Sequence, residues 1–145
     1  VRMSSVPFHY FDLRAFCYVT EDDKRVEDAL RTVLPEEFEI QRTESEGHYG
    51  DRILVLSARV ENAAGMRTVL DSLGDLAGAE RQRIEDELDE RVTENCEFFL
   101  TLDKQAAYGG TVTLGDGITL RGKVEAYPAK RESAIENAGE VLKEL

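Results

Sequence analysis

The stretch Phe11-Asp12-Leu13-Arg14-Ala15-Phe16-Cys17-Tyr18-Val19, followed at once by Thr20-Glu21-Asp22-Asp23, contains the change of period that decides the fold. Phe11, Leu13, Ala15, Cys17 and Val19 fall on one side and Asp12, Arg14, Phe16 and Tyr18 on the other, the two-residue period of a strand with Cys17 turned inward. The period then lengthens. Val26, Ala29, Leu30, Val33 and Leu34 make a helical stripe, Thr20 offers an N-cap, and Glu21, Asp22 and Asp23 put negative charge at the positive end of the helix dipole. Pro35 stops that helix.

Working outward, residues 37–45 and 52–60 read as a strand pair joined by the turn-rich Glu46-Gly47-His48-Tyr49-Gly50-Asp51. Asn62 can cap a helix through Leu73 that ends at Gly74, and residues 79–92 read as a mostly solvated helix anchored by Ile84 and Leu88. Phe98, Leu100 and Leu102 alternate with Phe99, Thr101 and Asp103 as another strand. Beyond Tyr108-Gly109-Gly110 a hairpin is expected. A three-residue loop of Gly115, Asp116 and Gly117 pairs 114 with 118, which puts Val112, Leu114, Ile118 and Leu120 on the core face. Thr111, Thr113, Thr119, Arg121 and Lys123 then share the opposite face. A last helix over residues 130–144 buries Ala134, Ile135, Ala138, Val141 and Leu142. The order β-α-β-β-α-(α)-β-β-β-α implies an α+β fold, a single antiparallel or mixed sheet with helices packed mainly on one face.

A chain of 145 residues favours a single domain over 1–145, with residues 1–8 expected to be flexible. No apolar run approaches a bilayer span and the start lacks the apolar stretch of a secretory signal, so a soluble cytoplasmic protein without membrane contact is expected. Cys17 and Cys96 have no metal-ligand spacing and read as free buried thiols, and neither a zinc site nor any other metal or cofactor is expected.

Charge is the informative quantity. Asp and Glu number 30 against 18 Lys and Arg, a net of -12, with Arg outnumbering Lys by 13 to 5. The acids are scattered, which fits a surface adapted to a high-salt cytoplasm better than an acidic interaction tail. Residues 101–131 depart from this drift, with five cations against three acids. Within them Arg121 and Lys123, two apart on a strand, point the same way and suit a phosphate backbone, with threonine hydroxyls beside them. Lys104 and Gln105 leave the preceding strand near the same edge, although strict alternation from Leu102 turns Lys104 inward unless the strand ends or bulges there. Lys130 and Arg131 open the last helix against its dipole, a locally unfavourable choice that marks a functional position. His48 can stack on a base or donate to a phosphate. Phe16 and Tyr18 are expected to pack under the helices, the alternative being a stacking platform on the sheet. No GxSxG, HExxH or Cys-His constellation occurs, and no enzyme is expected.

The segments Phe8 to Arg14, Cys17 to Asp22, Glu46-Gly47-His48, Leu102 to Ala106 and Val124 to Arg131 resemble an archaeal RNA-binding family commonly labelled predicted exosome subunits. The resemblance runs from about residue 8 to the C-terminus. It implies a fold similar to the ribosomal large-subunit protein that binds 5S rRNA, RNA as the ligand, and no catalytic activity. Family features match at Gly47, His48, Lys104, Gln105, Pro128, Lys130 and Arg131, whereas Tyr49 and Asp51 stand where the family pattern has a second His and an Asn. The acidic composition looks like a haloarchaeal member.

The expected function is therefore non-catalytic RNA binding, linked to RNA processing, the exosome or ribosomal RNA, through His48, Lys104, Gln105, Arg121, Lys123, Lys130 and Arg131. Two alternatives stand beside it: a homodimeric protein- or small-ligand-docking module, and a carboxylate-metal hydrolase.

Overall fold

Strand β1 (Phe8–Cys17) is the middle strand of the protein, and its apolar residues explain why. Phe11, Leu13 and Ala15 are fully buried, a pattern available only to a strand paired on both edges and covered on one face. In the computed structural model, which describes residues 6–35, 38–46, 50 and 52–145, β1 pairs antiparallel with β3 (Arg52–Val60) and with β5 (Gly117–Val124). Strand β2 (Gln41–Glu46) extends the sheet beyond β3 and β4 (Glu97–Asp103) beyond β5, giving the order β2-β3-β1-β5-β4, antiparallel throughout. This is the α+β architecture expected from the sequence.

The helices lie against the face carrying Phe11, Leu13, Leu56, Val60, Leu100 and Leu120. Helix α1 (Asp23–Arg31) contributes Val26, Ala29 and Leu30; its N-cap is Asp22, whose carboxylate accepts from the Lys24 N–H at 2.9 Å, rather than Thr20. Helix α2 (Ala63–Leu73) is capped by Asn62 and ends at Gly74 as expected, burying Met66, Val69, Leu70 and Leu73. The charged segment 79–92 divides at Glu87 into α3 (Gly78–Asp86) and α4 (Leu88–Arg91), with Ile84 and Leu88 as the buried anchors. Between β4 and β5 a short helix, α5 (Lys104–Tyr108), is capped by Asp103, which accepts from the Ala106 N–H. Helix α6 (Arg131–Glu144) closes the core with Ala134, Ala138, Val141 and Leu142. Cys17 and Cys96 are buried and unbonded to each other. At the start of the described residues Val6 is buried and Phe8 packs beside Phe11 with ring centroids 4.6 Å apart.

The expected hairpin over 111–121 does not form. Its first arm is not a strand but bridges the outer edge of β4 at Leu102↔Leu114, with Asp103 N–H donating to the Thr113 carbonyl and Gly115 N–H to the Thr101 carbonyl. Gly115-Asp116-Gly117 then carries the chain around the end of β4, so that β5 pairs with the other edge of that strand through Asp103↔Gly117. Glycine is required for so close a crossing. A Cβ on Gly115 would lie 2.6 Å from the Asp103 Cβ, and one on Gly117, at φ +117°, 2.4 Å from the Lys104 Cβ. The apolar alternation that suggested two paired arms is real, because Val112, Ile118 and Leu120 are all buried, but it is satisfied on opposite edges of β4. The crossing also covers part of an edge strand that would otherwise present unpaired backbone groups.

Candidate nucleic-acid interface

With every helix on one side, the second face of the sheet is left open. Strand register places its residues in cross-strand rows. Thr101, Thr119, Arg14, Ser57 and Gln41 form one row over all five strands. Phe99, Arg121, Asp12 and Arg59 form the next, and Glu97, Lys123 and Tyr10 the one after. On the other side of the first row lie Phe16, Val55 and Thr43. Among the strand residues of this face Arg14, Arg59, Arg121 and Lys123 stand against Asp12, Glu97 and Asp103, with Glu39 and Glu61 at its margin over β1 and β3, so the face is close to neutral in a chain whose net is -12. Asp103 is further occupied as the cap of α5.

The cations on this face differ in their commitments. Arg59 grips Asp12 with two parallel hydrogen bonds of 2.8 Å, Nε and a terminal nitrogen each to one carboxylate oxygen, and lies 4.1 Å from the centroid of the Tyr10 ring. The hydrogen bonds that Arg59 donates to Asp12, together with the charge of that carboxylate, outweigh the opposing desolvation and hold the guanidinium charged well beyond the usual arginine range. Lys123 donates from Nζ to the Asn95 carbonyl. Arg121 contacts the Phe99 ring at 5.9 Å and makes no ion pair or hydrogen bond among the described residues. Arg14 is exposed and equally uncommitted. Between β1 and β5 a shallow hollow of about 250 Å³ is lined by Asp12, Arg14, Phe16, Thr119 and Arg121, and a larger groove of about 490 Å³ continues over β1 and β3 past Ser57 and Arg59.

Of the residues singled out from sequence, Arg121 and Lys123 share the open face, together with Thr119. Thr111 and Thr113 do not join them, since they are not on a strand and the Thr113 hydroxyl donates to Glu80 at 2.9 Å. Lys104 is turned into the protein at the β5 start: its Nζ donates to the Glu21 carboxylate and to the Phe16 carbonyl, each at 2.8 Å, with its side chain 12% exposed. Burial alone would raise the Glu21 pKa, but the hydrogen bond from Lys104, the one from the Tyr18 N–H and the attraction of the ammonium bring it below the ordinary value of 4.5. Gln105 is exposed next to it, on α5, beside a pocket it shares with Tyr108 and Arg25. Lys130 and Arg131 lie past the other end of β5, which is about 24 Å long at the usual rise per residue. Lys130 is exposed, whereas Arg131 reaches back to the end of α4, donating to the carbonyls of Val92 at 3.0 Å and of Asp89. That placement explains the cation at the start of α6, because the same guanidinium serves the negative end of another helix. His48 lies outside the described residues, as do Tyr49 and Asp51.

Reading from sequence missed Arg14 and Arg59 as members of this surface and misplaced Phe16. Phe16 does not pack under the helices; it is 40% exposed on the open face. The signal was present in the alternation of residues 11–19, which puts Arg14 and Phe16 opposite Cys17, but alternation alone does not say which face the helices take. Tyr18 is half exposed at the strand end, 5.4 Å from the Lys104 ammonium. Among the described residues no group of three or more His, Cys, Asp or Glu is placed to hold a metal ion, and no helix is long and apolar enough to cross a membrane.

An antiparallel five-stranded sheet with helices on one face, and cations and aromatic rings on the other, defines an open-faced α+β domain. Comparison with known proteins is consistent with that architecture: a family model described as RNA binding matches residues 10–124, and the chain belongs to this RNA-binding family. The RNA-binding protein PAB1135 of Pyrococcus abyssi is 35% identical over 143 residues, covering 92% of this chain and 93% of its own. Among solved structures, protein AF2318 of Archaeglobus fulgidus superposes with a TM-score of 0.84 at 32% identity, over 92% of this chain and 99% of that one. Mth689 of Methanothermobacter thermautotrophicus, a DUF54 protein, gives 0.78 at 37% identity, over 93% and 98%.

Proposed function

We propose that this protein binds RNA, without cleaving it, on the open face of its sheet, with Arg14, Arg121 and Lys123 on phosphates and Arg59, Ser57 and Thr119 beside them. The single observation that carries this reading is the pair of uncommitted guanidiniums, Arg14 and Arg121, side by side on a face that is close to neutral in an acidic chain. They are diagonal neighbours on adjacent strands, about 7–8 Å apart at the backbone, so both can reach one stretch of backbone phosphate. Gln105 and Lys130, exposed past the two ends of β5, extend the track, and His48, outside the described residues, is kept as an RNA contact on family likeness alone. Lys104 and Arg131 act by positioning the ends of the sheet.

The RNA belongs to processing or ribosomal traffic in the cytoplasm, with exosome or ribosomal components as neighbours, and the acidic remainder of the surface is an adaptation to high salt. Crosslinking in cells at native salt, followed by sequencing of the bound RNA, tests both the RNA class and the neighbours. The site itself is tested by Arg14→Ala combined with Arg121→Ala. Binding of RNA should weaken at least tenfold with the melting temperature unchanged; wild-type affinity in this variant removes the assignment. A face used for self-association would instead show as a dimer by light scattering that the same variant dissociates.

A further inference from the structure

Phe16 stands out on the open face. It is 40% exposed on a largely polar face and outside the core, makes no ring–ring contact among the described residues, and lines a hollow together with both uncommitted arginines. The hollow has room for a planar base, about 250 Å³, with the Phe16 ring as one wall, the Thr119 hydroxyl on β5, and the guanidiniums of Arg14 and Arg121 at its margins. Its single carboxylate, Asp12, has both oxygens taken by Arg59, which removes most of its repulsion toward a phosphate. From this geometry we infer that the hollow is a subsite for one unpaired nucleotide, its base stacked on Phe16 and its flanking phosphates held by Arg14 and Arg121. The ligand class is therefore single-stranded RNA, or an unpaired loop or end, rather than duplex.

The inference rests on the open face being the RNA surface and adds which form of RNA it accepts. A paired base is stacked within its own helix and cannot present a face to Phe16, since A-form duplex offers sugars, phosphates and base edges along its shallow groove but no base faces. Base stacking on a protein ring tolerates any sequence, because every base has a π-face. It also survives high salt better than a long-range field does, which suits a protein whose overall charge opposes its ligand.

A mixed-sequence single-stranded RNA oligonucleotide and its fully paired duplex, each titrated by fluorescence anisotropy against the full chain, provide the test. The single strand should bind at least tenfold more tightly. Phe16→Leu, which keeps an apolar residue on the strand, should weaken single-strand binding by about 5- to 150-fold and leave duplex binding unchanged. The chain contains no tryptophan, so Phe16→Trp introduces a lone indole that should be quenched by the single strand, with affinity retained. Equal or tighter duplex binding, or wild-type behaviour of Phe16→Leu, overturns the subsite. If that happens while the Arg14→Ala, Arg121→Ala variant still loses binding, the RNA face stands and only the unpaired-nucleotide reading fails; if the arginine variant also binds normally, the RNA face itself is wrong.

Discussion

Replacing Lys104 by Met separates a structural lysine from an RNA-contacting one. The aliphatic stem packs against Gly117, where there is no room for a side chain, and Met reproduces that stem while deleting the ammonium. What is lost is the pair of 2.8 Å bonds to the Glu21 carboxylate and the Phe16 carbonyl, in a place where Lys104 is 12% and Glu21 22% exposed. A hydrogen bond involving a charged group contributes about 1.5–3 kcal/mol when its partner is left shielded from water, so a loss of about 2 kcal/mol is expected. For a chain of this length that lowers the melting temperature by about 6–8 °C.

The pH dependence has a definite sign. Glu21 titrates below its ordinary 4.5 in the folded protein, so the stability from its pairing is complete above that value and disappears as pH falls through the lowered one. In Lys104→Met the buried carboxylate has no ammonium, and its protonation relieves the defect. Thermal melts of both proteins should differ by the full amount at neutral pH and converge as the pH falls below 4.5 and through the lowered value of Glu21. RNA affinity, measured well below the melting temperature, should change less than threefold. A variant that melts like the wild type but loses RNA as completely as the arginine pair would refute this assignment and return Lys104 to the interface.

Arg131→Ala should lower stability by about 1–2 kcal/mol, seen in denaturant titration, because the carbonyls of Val92 and Asp89 lose their donor; an effect on RNA binding without a shift in midpoint would contradict it. Asp12→Asn, which releases the Arg59 guanidinium from its ion pair, should strengthen RNA binding several-fold at low salt, and the gain should vanish near molar salt, where charges are screened within about 3 Å; unchanged affinity at low salt would place the RNA elsewhere. Gly122→Ala should destabilise by about 1–3 kcal/mol, since its Cβ would lie 2.6 Å from the buried Phe11 ring and 3.1 Å from Phe8, and a melt at the wild-type temperature would show that the two rings yield.

How much of this was legible beforehand follows the range of the interactions. Local signals were read correctly wherever one element could satisfy itself: Asn62 and Gly74 bracket α2, and Ile84 and Leu88 anchor an otherwise charged segment. The same holds for the alternation of β4. Where satisfaction comes from a distant partner the reading went astray. Leu114 and Ile118 looked like facing partners in a hairpin, yet both are adjacent to Leu102, on its two sides, a relation that exists only once β4 is between them. Asp103-Lys104-Gln105-Ala106 carries the capping signal for α5, but five residues of helix are too short to show a period, and the segment read as the fraying end of a strand. Lys104 and Arg131 could be recognised as unusual cations. Their targets, Glu21 and the end of α4, lie 83 and 42 residues away along the chain, so no local rule could distinguish a lock from a ligand contact. Arg121 and Lys123 survived because a two-residue spacing on any strand, however paired, leaves them on the same side.

That robustness bears on how an acidic protein can belong to an RNA-binding family at all. A net of -12 opposes a polyanion only if the field of the whole molecule reaches the interface. The helices carry a net of only -3 and the strands +1, so most of the excess carboxylate belongs to the segments between them; at about 0.15 M salt the Debye length is about 8 Å, and acids farther than that from the open face are already separated electrically from a strand bound there. At molar salt the separation is more complete, but counterion release is then a weak source of affinity as well. What remains effective is contact chemistry: guanidinium to phosphate at hydrogen-bond distance, and a ring against a base. Both are present on the open face and neither needs a basic protein around it. Three of the four cations on that face are Arg, which also predominates in the chain as a whole, and the planar fork keeps its directional bonds where a point charge would be screened.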